Sequence, residues 1–348
     1  MMKAVVVESQ GKLSLRSIEV PEVDDYSALV RMEIVAICNT TDRKIINGTL
    51  PGGITYPTTL GHEGIGTVVK IGKKVKSYKV GDRVLNPQIV YSPIEGLSST
   101  WGTMAEYSLV FDDNAMKANE INDEEHGYDG VYETQKVIPI NIPSRQAILL
   151  ATWREVYSSF KDFGFQRDRS LLIFGGGPVG LSFVSLAKLF GMNPVCLTTR
   201  SNWKMDRAKS LGADEVFPAD ETLVSELQKY NSEGFNFIVD AVGSNDVIKK
   251  AMQVIGLNGT IGVYGTLSEK ELRFGIEKSP SNWQLIVHQF PDYTKEAAAH
   301  EPLCEYIEQG KISSEDYITH EYPFEKILTG FEMIEKNQAL KVLLHLQY

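Results

Sequence analysis

Apolar and polar positions divide the chain into two kinds of segment. From residue 1 to about 143, short strand-length runs dominate, at 28–37, 66–71 and 105–110 among others, separated by turn residues such as Gly52-Gly53 and Gly81-Asp82. Runs of this kind predict a compact β-rich domain, and no internal repeat is present. Helical periodicity begins near Arg145, and from Ser170 apolar runs alternate with helical stretches. The pattern predicts strands at 171–174, 194–198, 237–240 and 260–264, with helices at 178–190, 203–211, 222–230 and 246–255. Such alternation predicts an α/β fold with a doubly wound parallel sheet. Beyond Lys295 come a helix ending near Gly310, another at 324–336, and a final strand at 341–345 placed to return to the first domain. The stretch 112–133 carries eight acidic residues and little periodicity, and it reads as a long acidic surface loop.

The run Leu171-Leu172-Ile173-Phe174 leads directly into Gly175-Gly176-Gly177-Pro178-Val179-Gly180, which has G-x-G-x-x-G spacing. Strand, glycine turn, helix and second strand arrive in the order that a dinucleotide site needs. Gly175 permits the tight turn, Gly177 lets the backbone approach a pyrophosphate, and Gly180 lets the helix pack on the sheet. Pro178 suits the first helical turn, whose free N–H groups face the phosphates. About 20 residues further on, an acid would hold a ribose 2′-hydroxyl. Here Thr198, Thr199, Arg200 and Ser201 stand instead, supplying hydroxyls and a guanidinium that suit a 2′-phosphate. NADP(H) is therefore the preferred cofactor, and NAD(H) is the alternative if Arg200 is a solvated loop residue.

Length and charge narrow the function further. A chain of 348 residues suggests two domains. A net charge of −10 argues against nucleic acid or an anionic membrane surface as partner. No apolar run is long enough to span a bilayer, and Met1-Met2-Lys3-Ala4-Val5 has no signal-peptide core, so a cytoplasmic location is expected. The three cysteines, Cys38, Cys196 and Cys304, are too few for a disulfide framework and fit a reducing compartment.

Cys38 follows an apolar run, and Gly61-His62-Glu63-Gly64 follows a turn-rich segment. Thiolate, imidazole and carboxylate are zinc ligand types, and a catalytic zinc needs three protein ligands with one open position. Spacing alone leaves a second reading, a buried core cysteine and a plain turn at His62-Glu63.

Together these residues resemble the medium-chain dehydrogenase/reductase superfamily, in its zinc-containing alcohol and polyol dehydrogenase branch. The resemblance covers nearly the whole chain: Ile37-Cys38 with Asp42, Gly61-His62-Glu63 with Gly66, Gly81-Asp82-Arg83-Val84, Ala105-Glu106-Tyr107, the Gly175–Gly180 fingerprint, Leu211-Gly212-Ala213-Asp214 and Asp240-Ala241-Val242-Gly243. It implies a GroES-like catalytic domain at 1–150 and 296–348, a Rossmann domain at 151–295, and an active-site cleft where they meet. It also implies one catalytic zinc on Cys38 and His62, Glu63 as an alternating ligand or holder of a bound water, a proton relay through Thr40 or Thr41, and cofactor contacts at Val242 and Gly243.

Three departures from that pattern stand out. Asn39 and Thr40 separate Cys38 from Thr41-Asp42 where relatives have one residue, so either threonine is a candidate relay. Ala151 occupies the place of the third metal ligand, and Glu155, one helical turn further on, is the candidate substitute. The alternative for Glu155 is a surface carboxylate pairing with Arg154 or Lys161, in which case Cys38, His62 and Glu63 form the ligand set. The stretch 86–102 has no cysteine, so no structural zinc is expected. By analogy, with Asn39, Thr40, Trp101 and Trp153 near the expected cleft, the substrate is a small hydrophilic one: a polyol, sugar or amino-sugar alcohol or its carbonyl form. A zinc-free NADPH reductase of quinones or enones, and a non-catalytic NADPH binder, are the alternatives. Relatives suggest a homodimer or homotetramer pairing through the strand at 260–264 as the sheet edge.

Overall fold

The computed structural model describes residues 1–89, 96–267 and 271–346. The chain forms two units, one from Met1–Ala151 with His300–Tyr348 and the other from Thr152–Ala299. In the first unit the central strand is Ser27–Ile37, which pairs antiparallel with Gly64–Ile71, Tyr107–Phe111 and Lys341–His345. Ala28, Val30, Met32, Val35 and Ile37 enter one core with Val68, Val110, Val342 and Leu344. Each of these Val, Ile, Leu and Met side chains contributes roughly 1.5–3 kcal/mol on burial, so the C-terminal strand is held to the N-terminal domain by apolar packing as well as by its ladder. A second sheet, in the order Lys12–Ile18, Met2–Ser9, Thr58–Thr59, Ser98–Ser99, completes this β-rich unit.

The second unit is a six-stranded parallel sheet. Its spatial order is Glu215–Pro218, Val195–Thr199, Leu171–Phe174, Phe235–Asp240, Ile255–Val263, Trp283–Val287. Counted along the chain this is 3-2-1-4-5-6, the Rossmann order, with its switch point between Leu171–Phe174 and Phe235–Asp240. Leu171–Phe174 and Val195–Thr199 are buried at every position, as parallel strands covered on both faces must be. Hydrophobic patterning misses Glu215–Pro218 and Trp283–Val287 because both lie at sheet edges and are half-exposed. Residues 260–263 lie inside the sheet, laddered on both sides to Phe235–Asp240 and Trp283–Val287, so the edge is Trp283–Val287 and not 260–264.

The acidic stretch 112–133 is not one continuous loop. It folds into a helix, Asp113–Ala118, and two 3-10 turns, Glu124–His126 and Gly130–Thr134, each capped by an aspartate: Asp112, Asp123 and Asp129. These three carboxylates accept the free N–H groups of the following turns, while Glu120, Glu124 and Glu125 stay exposed. Burial works against the Asp112 charge, but hydrogen bonds from Ser77, Lys76 and Ala115 outweigh it and hold its pKa low. Tyr132 stacks on Phe111 with ring centroids 4.3 Å apart, which anchors the segment to the sheet. Among the described residues no helix is long and apolar enough to cross a membrane.

Candidate metal centre and dinucleotide cradle

Three strand ends and one bend build the candidate centre. Cys38 follows Ser27–Ile37 directly, and Glu63 immediately precedes Gly64–Ile71, its carbonyl accepting the Ala36 N–H at 3.0 Å. Lys341 opens the last strand, whose Val342 pairs with Ile37, so antiparallel register sets Lys341 beside Cys38. His62 arrives through a bend at Gly61, where φ is +97° and any Cβ would lie 3.0 Å from the Met104 backbone nitrogen. Only glycine fits both the dihedral and the space.

Ligand atoms of Cys38, His62 and Glu63 all lie within 4.8 Å of one another, and among the described residues this is the one such group of three or more. The side chains around it set their geometry. Asp42 is fully buried; its Oδ2 accepts the Cys38 backbone N–H at 2.8 Å, and its Oδ1 stands 3.5 Å from His62 Nδ1. That contact leaves His62 Nε2, 4.0 Å from Glu63 Oε1, for the centre. Trp101 meets the His62 ring edge-on at 5.2 Å. The buried Lys341 ammonium donates to both Glu63 oxygens, at 2.9 and 2.6 Å. Burial alone would lower the His62 pKa, but Asp42 and Cys38 outweigh it and hold it well above the usual histidine range. Burial likewise disfavours the Lys341 charge, and Glu63, Cys38 and Asp42 restore it, so its pKa is raised. One thiol, one imidazole and one carboxylate in reach of a single point suit Zn²⁺. Asp42→Ala, which frees the His62 ring, is expected to weaken zinc binding about 10–100-fold in a chelator competition, the usual cost of losing such a partner. An unchanged affinity would remove Asp42 from this role.

The second unit supplies a cradle at the switch point. Gly175 has φ +115°, and a Cβ on it would meet Val242 Cγ2 at 3.0 Å; a Cβ on Gly180 would overlap the Gly175 carbonyl oxygen. The space over Gly177 is open, with nothing within 4 Å of a Cβ there. Pro178 begins the helix Pro178–Phe190, with Val179 partly exposed in its first turn. Across the switch point the buried Asp240 carboxylate accepts the N–H groups of Val242 at 2.8 Å and Gly243 at 2.9 Å, fixing that turn. A tight turn, an open backbone and a helix start fit a pyrophosphate.

Residues 24–120 match the alcohol dehydrogenase GroES-like domain, and residues 178–287 match the zinc-binding dehydrogenase domain. The chain belongs to the medium-chain dehydrogenase/reductase superfamily. Sorbitol dehydrogenase of Bombyx mori is 25% identical, covering 99% of this chain and 98% of that one. D-arabinitol dehydrogenase 1 of Uromyces fabae is 27% identical over 98% and 96% of the two chains. In fold the chain is similar to zinc dependent alcohol dehydrogenase 2 from Streptococcus pneumonia, with a TM-score of 0.82 at 22% identity, covering 100% of this chain and 99% of that one. It is thus an NAD(P)-dependent oxidoreductase of that superfamily, with a GroES-like unit, a Rossmann unit and, among the described residues, one candidate metal cluster.

Of the residues singled out from sequence, the structure brings Cys38, His62 and Glu63 together. Thr40 is exposed and stands just before the helix Thr41–Ile46, which Thr41 begins half-buried. Asp42 reaches the Cys38 N–H despite the extra residue, so Asn39 and Thr40 absorb it. Glu155 lies in the second unit, on the helix Leu150–Asp162, and accepts from the Tyr264 hydroxyl at 3.4 Å; it is not one of the clustered three. Arg154 is fully buried and paired with Glu296 at 3.0 Å, so it is not a surface partner for Glu155. Thr198 and Thr199 are buried at the end of their strand, and Arg200 is exposed. Sequence reasoning missed Lys341 and the positioning role of Asp42. The spacing of Asp42 from Cys38, one helical turn, was an available signal; nothing local marks Lys341.

Proposed function

We propose that this chain is a zinc-dependent NADP(H) oxidoreductase interconverting a hydroxyl and a carbonyl of a polyol, sugar or amino-sugar alcohol. The clustering of Cys38, His62 and Glu63, in a chain that also carries a dinucleotide cradle, is the observation that carries this proposal. When bound, zinc supplies Lewis acidity toward the substrate oxygen and the nicotinamide exchanges the hydride. Cys38, His62 and Glu63 bind the metal, and Asp42 orients His62. A carboxylate has lone pairs enough to accept Lys341 and still face a metal, so Lys341 balances charge at a centre holding a thiolate and two carboxylates. Either Thr41, partly buried, or Thr40, exposed, relays the alcohol proton, its hydroxyl oxygen accepting that proton as its own hydrogen passes on to water. Gly175, Gly177, Pro178, Val179 and Gly180 hold the pyrophosphate; Val242 and Gly243 line the cofactor across the switch point; Thr198, Thr199 and Arg200 face the adenosine ribose.

The sorbitol and arabinitol dehydrogenase relatives support the substrate class. A panel of polyols, sugars and simple alcohols, followed by absorbance of reduced nicotinamide with NADP⁺ and NAD⁺, tests it; oxidation of none of the polyols would set that class aside. Arg200→Met is expected to weaken NADPH by roughly tenfold or more, the scale of one charged hydrogen bond, and to leave NADH within about twofold. Equal effects on both, by fluorescence titration, would remove Arg200 from the 2′-phosphate.

A further inference from the structure

Six non-glycine residues among those described have positive φ, and five of them are polar: Asn86, Glu120, Asp168, Asn258 and Asn337. The sixth is Trp101, at φ +65°, where a bulky side chain is a steric outlier. The Gly102 N–H donates to the Thr100 carbonyl, two residues back, at 2.9 Å. Trp101 is therefore the centre of a γ-turn with positive φ, the rare and strained form.

Both flanks of this turn are fastened. On one side Ser98 and Ser99 pair with Thr58 and Thr59, and the hydroxyl oxygens of Thr58 and Thr100 lie 2.7 Å apart. On the other side Thr103 and Met104 donate their N–H groups to the Gly61 and Leu60 carbonyls at 2.9 and 3.0 Å. Gly102, at φ +70°, has no room for a side chain, since a Cβ would lie 2.8 Å from Thr59 Oγ1. These bonds tie the turn to the segment that leads into His62. The Trp101 indole meets the His62 ring edge-on, 5.2 Å between centroids, yet stays half-exposed. A glycine at position 101 would adopt the same turn without strain, so what the strained turn secures is an open indole beside the ligand set.

We propose, on the polyol reading above, that Trp101 sets substrate specificity by stacking its half-exposed indole against the carbon chain of a polyol or sugar whose hydroxyl reacts beside Cys38, His62 and Glu63. The face of an aromatic ring is electron-rich. Each C–H of a polyol sits beside an electron-withdrawing oxygen and carries partial positive charge, so it suits that face better than the C–H of an alkane chain does. A three-carbon alcohol is too short to cover the indole and gains little from it.

The test uses Trp101→Phe, Trp101→Ala and Trp101→Gly in the full chain. KM and kcat are measured with NADP⁺ and NAD⁺ for sorbitol, D-arabinitol, hexan-1-ol and propan-2-ol, beside zinc content and urea unfolding. Sorbitol binding is also read without turnover, from quenching of tryptophan fluorescence in protein saturated with reduced cofactor. Trp101→Ala is expected to raise KM for both polyols about tenfold relative to propan-2-ol, the scale of one aromatic contact with its buried area, and to change kcat less. Trp101→Phe recovers most of that loss, and zinc stays at about one per chain in all three variants. Sorbitol quenches the parent and no longer quenches Trp101→Phe. Trp101→Gly unfolds at higher urea than Trp101→Ala, because glycine relieves the turn. Equal KM changes for polyols and propan-2-ol, or loss of zinc, would make Trp101 a support for His62 and overturn the inference. A loss as large for hexan-1-ol would make the indole a plain apolar wall, and a Trp101→Gly no more stable than Trp101→Ala would remove the strain; either overturns it too. A parent protein that oxidises no polyol would overturn the polyol reading and the inference with it. Polyol oxidation unchanged in Trp101→Ala would leave that reading standing and remove Trp101 alone.

Discussion

Lys341→Met is expected to lower the unfolding free energy of chelator-treated protein by about 3–5 kcal/mol, because it leaves a buried carboxylate without its cation. Lys341 is 2% exposed and Glu63 is 5% exposed, and the ammonium touches both carboxylate oxygens. Water cannot replace the lost partner at that depth without opening the core formed by Ser27–Ile37 and Lys341–His345. The double variant Lys341→Met with Glu63→Met removes both charges and should recover most of the loss. Urea denaturation of the two variants beside the parent reads the coupling directly. A single variant within about 1 kcal/mol of the parent would mean that Glu63 takes up its proton or finds another partner, and the charge balance assigned to Lys341 would be wrong.

Cys38→Ala has the largest expected effect on chemistry. Two ligands, His62 and Glu63, remain, too few for a tight site, so zinc should fall from about one per chain to near zero. NADP-linked alcohol oxidation should fall at least ~10³-fold, since the several kcal/mol that a Lewis acid supplies amounts to a factor of ten for each 1.36 kcal/mol. NADPH affinity should stay within about twofold, because every residue assigned to the cofactor lies in the other unit. Retained zinc, or activity above a tenth of the parent, would take Cys38 out of the ligand set.

The Rossmann unit was legible because its buried strands announce themselves: Leu171–Phe174 is apolar throughout and meets a glycine turn at once. Its edge strands were not. Glu215–Pro218 has only Val216 and Phe217 as an apolar pair, and Trp283–Val287, although apolar at Trp283, Leu285, Ile286 and Val287, is buried at no position. Aspartates at 112, 123 and 129 looked like solvated charge, although each caps a turn, because capping depends on backbone geometry that composition does not carry. In the candidate metal centre, Cys38, His62 and Glu63 were recognisable by ligand chemistry. Lys341 was not, since 278 residues separate it from Glu63 and only the antiparallel register of the last strand joins them. The burial of Arg154 against Glu296 was hidden for the same reason.

Metal-assisted oxidation at Cys38, His62 and Glu63 is tested most directly by zinc content. Purified protein is assayed by elemental mass spectrometry before and after dialysis against a chelator, with NADP-linked polyol oxidation and NADPH binding followed in parallel. The expected result is about one zinc per chain, activity lost on its removal and regained on its return, and NADPH binding unchanged throughout. Protein that binds NADPH and turns over a carbonyl, quinone or enone with no zinc present would contradict the account.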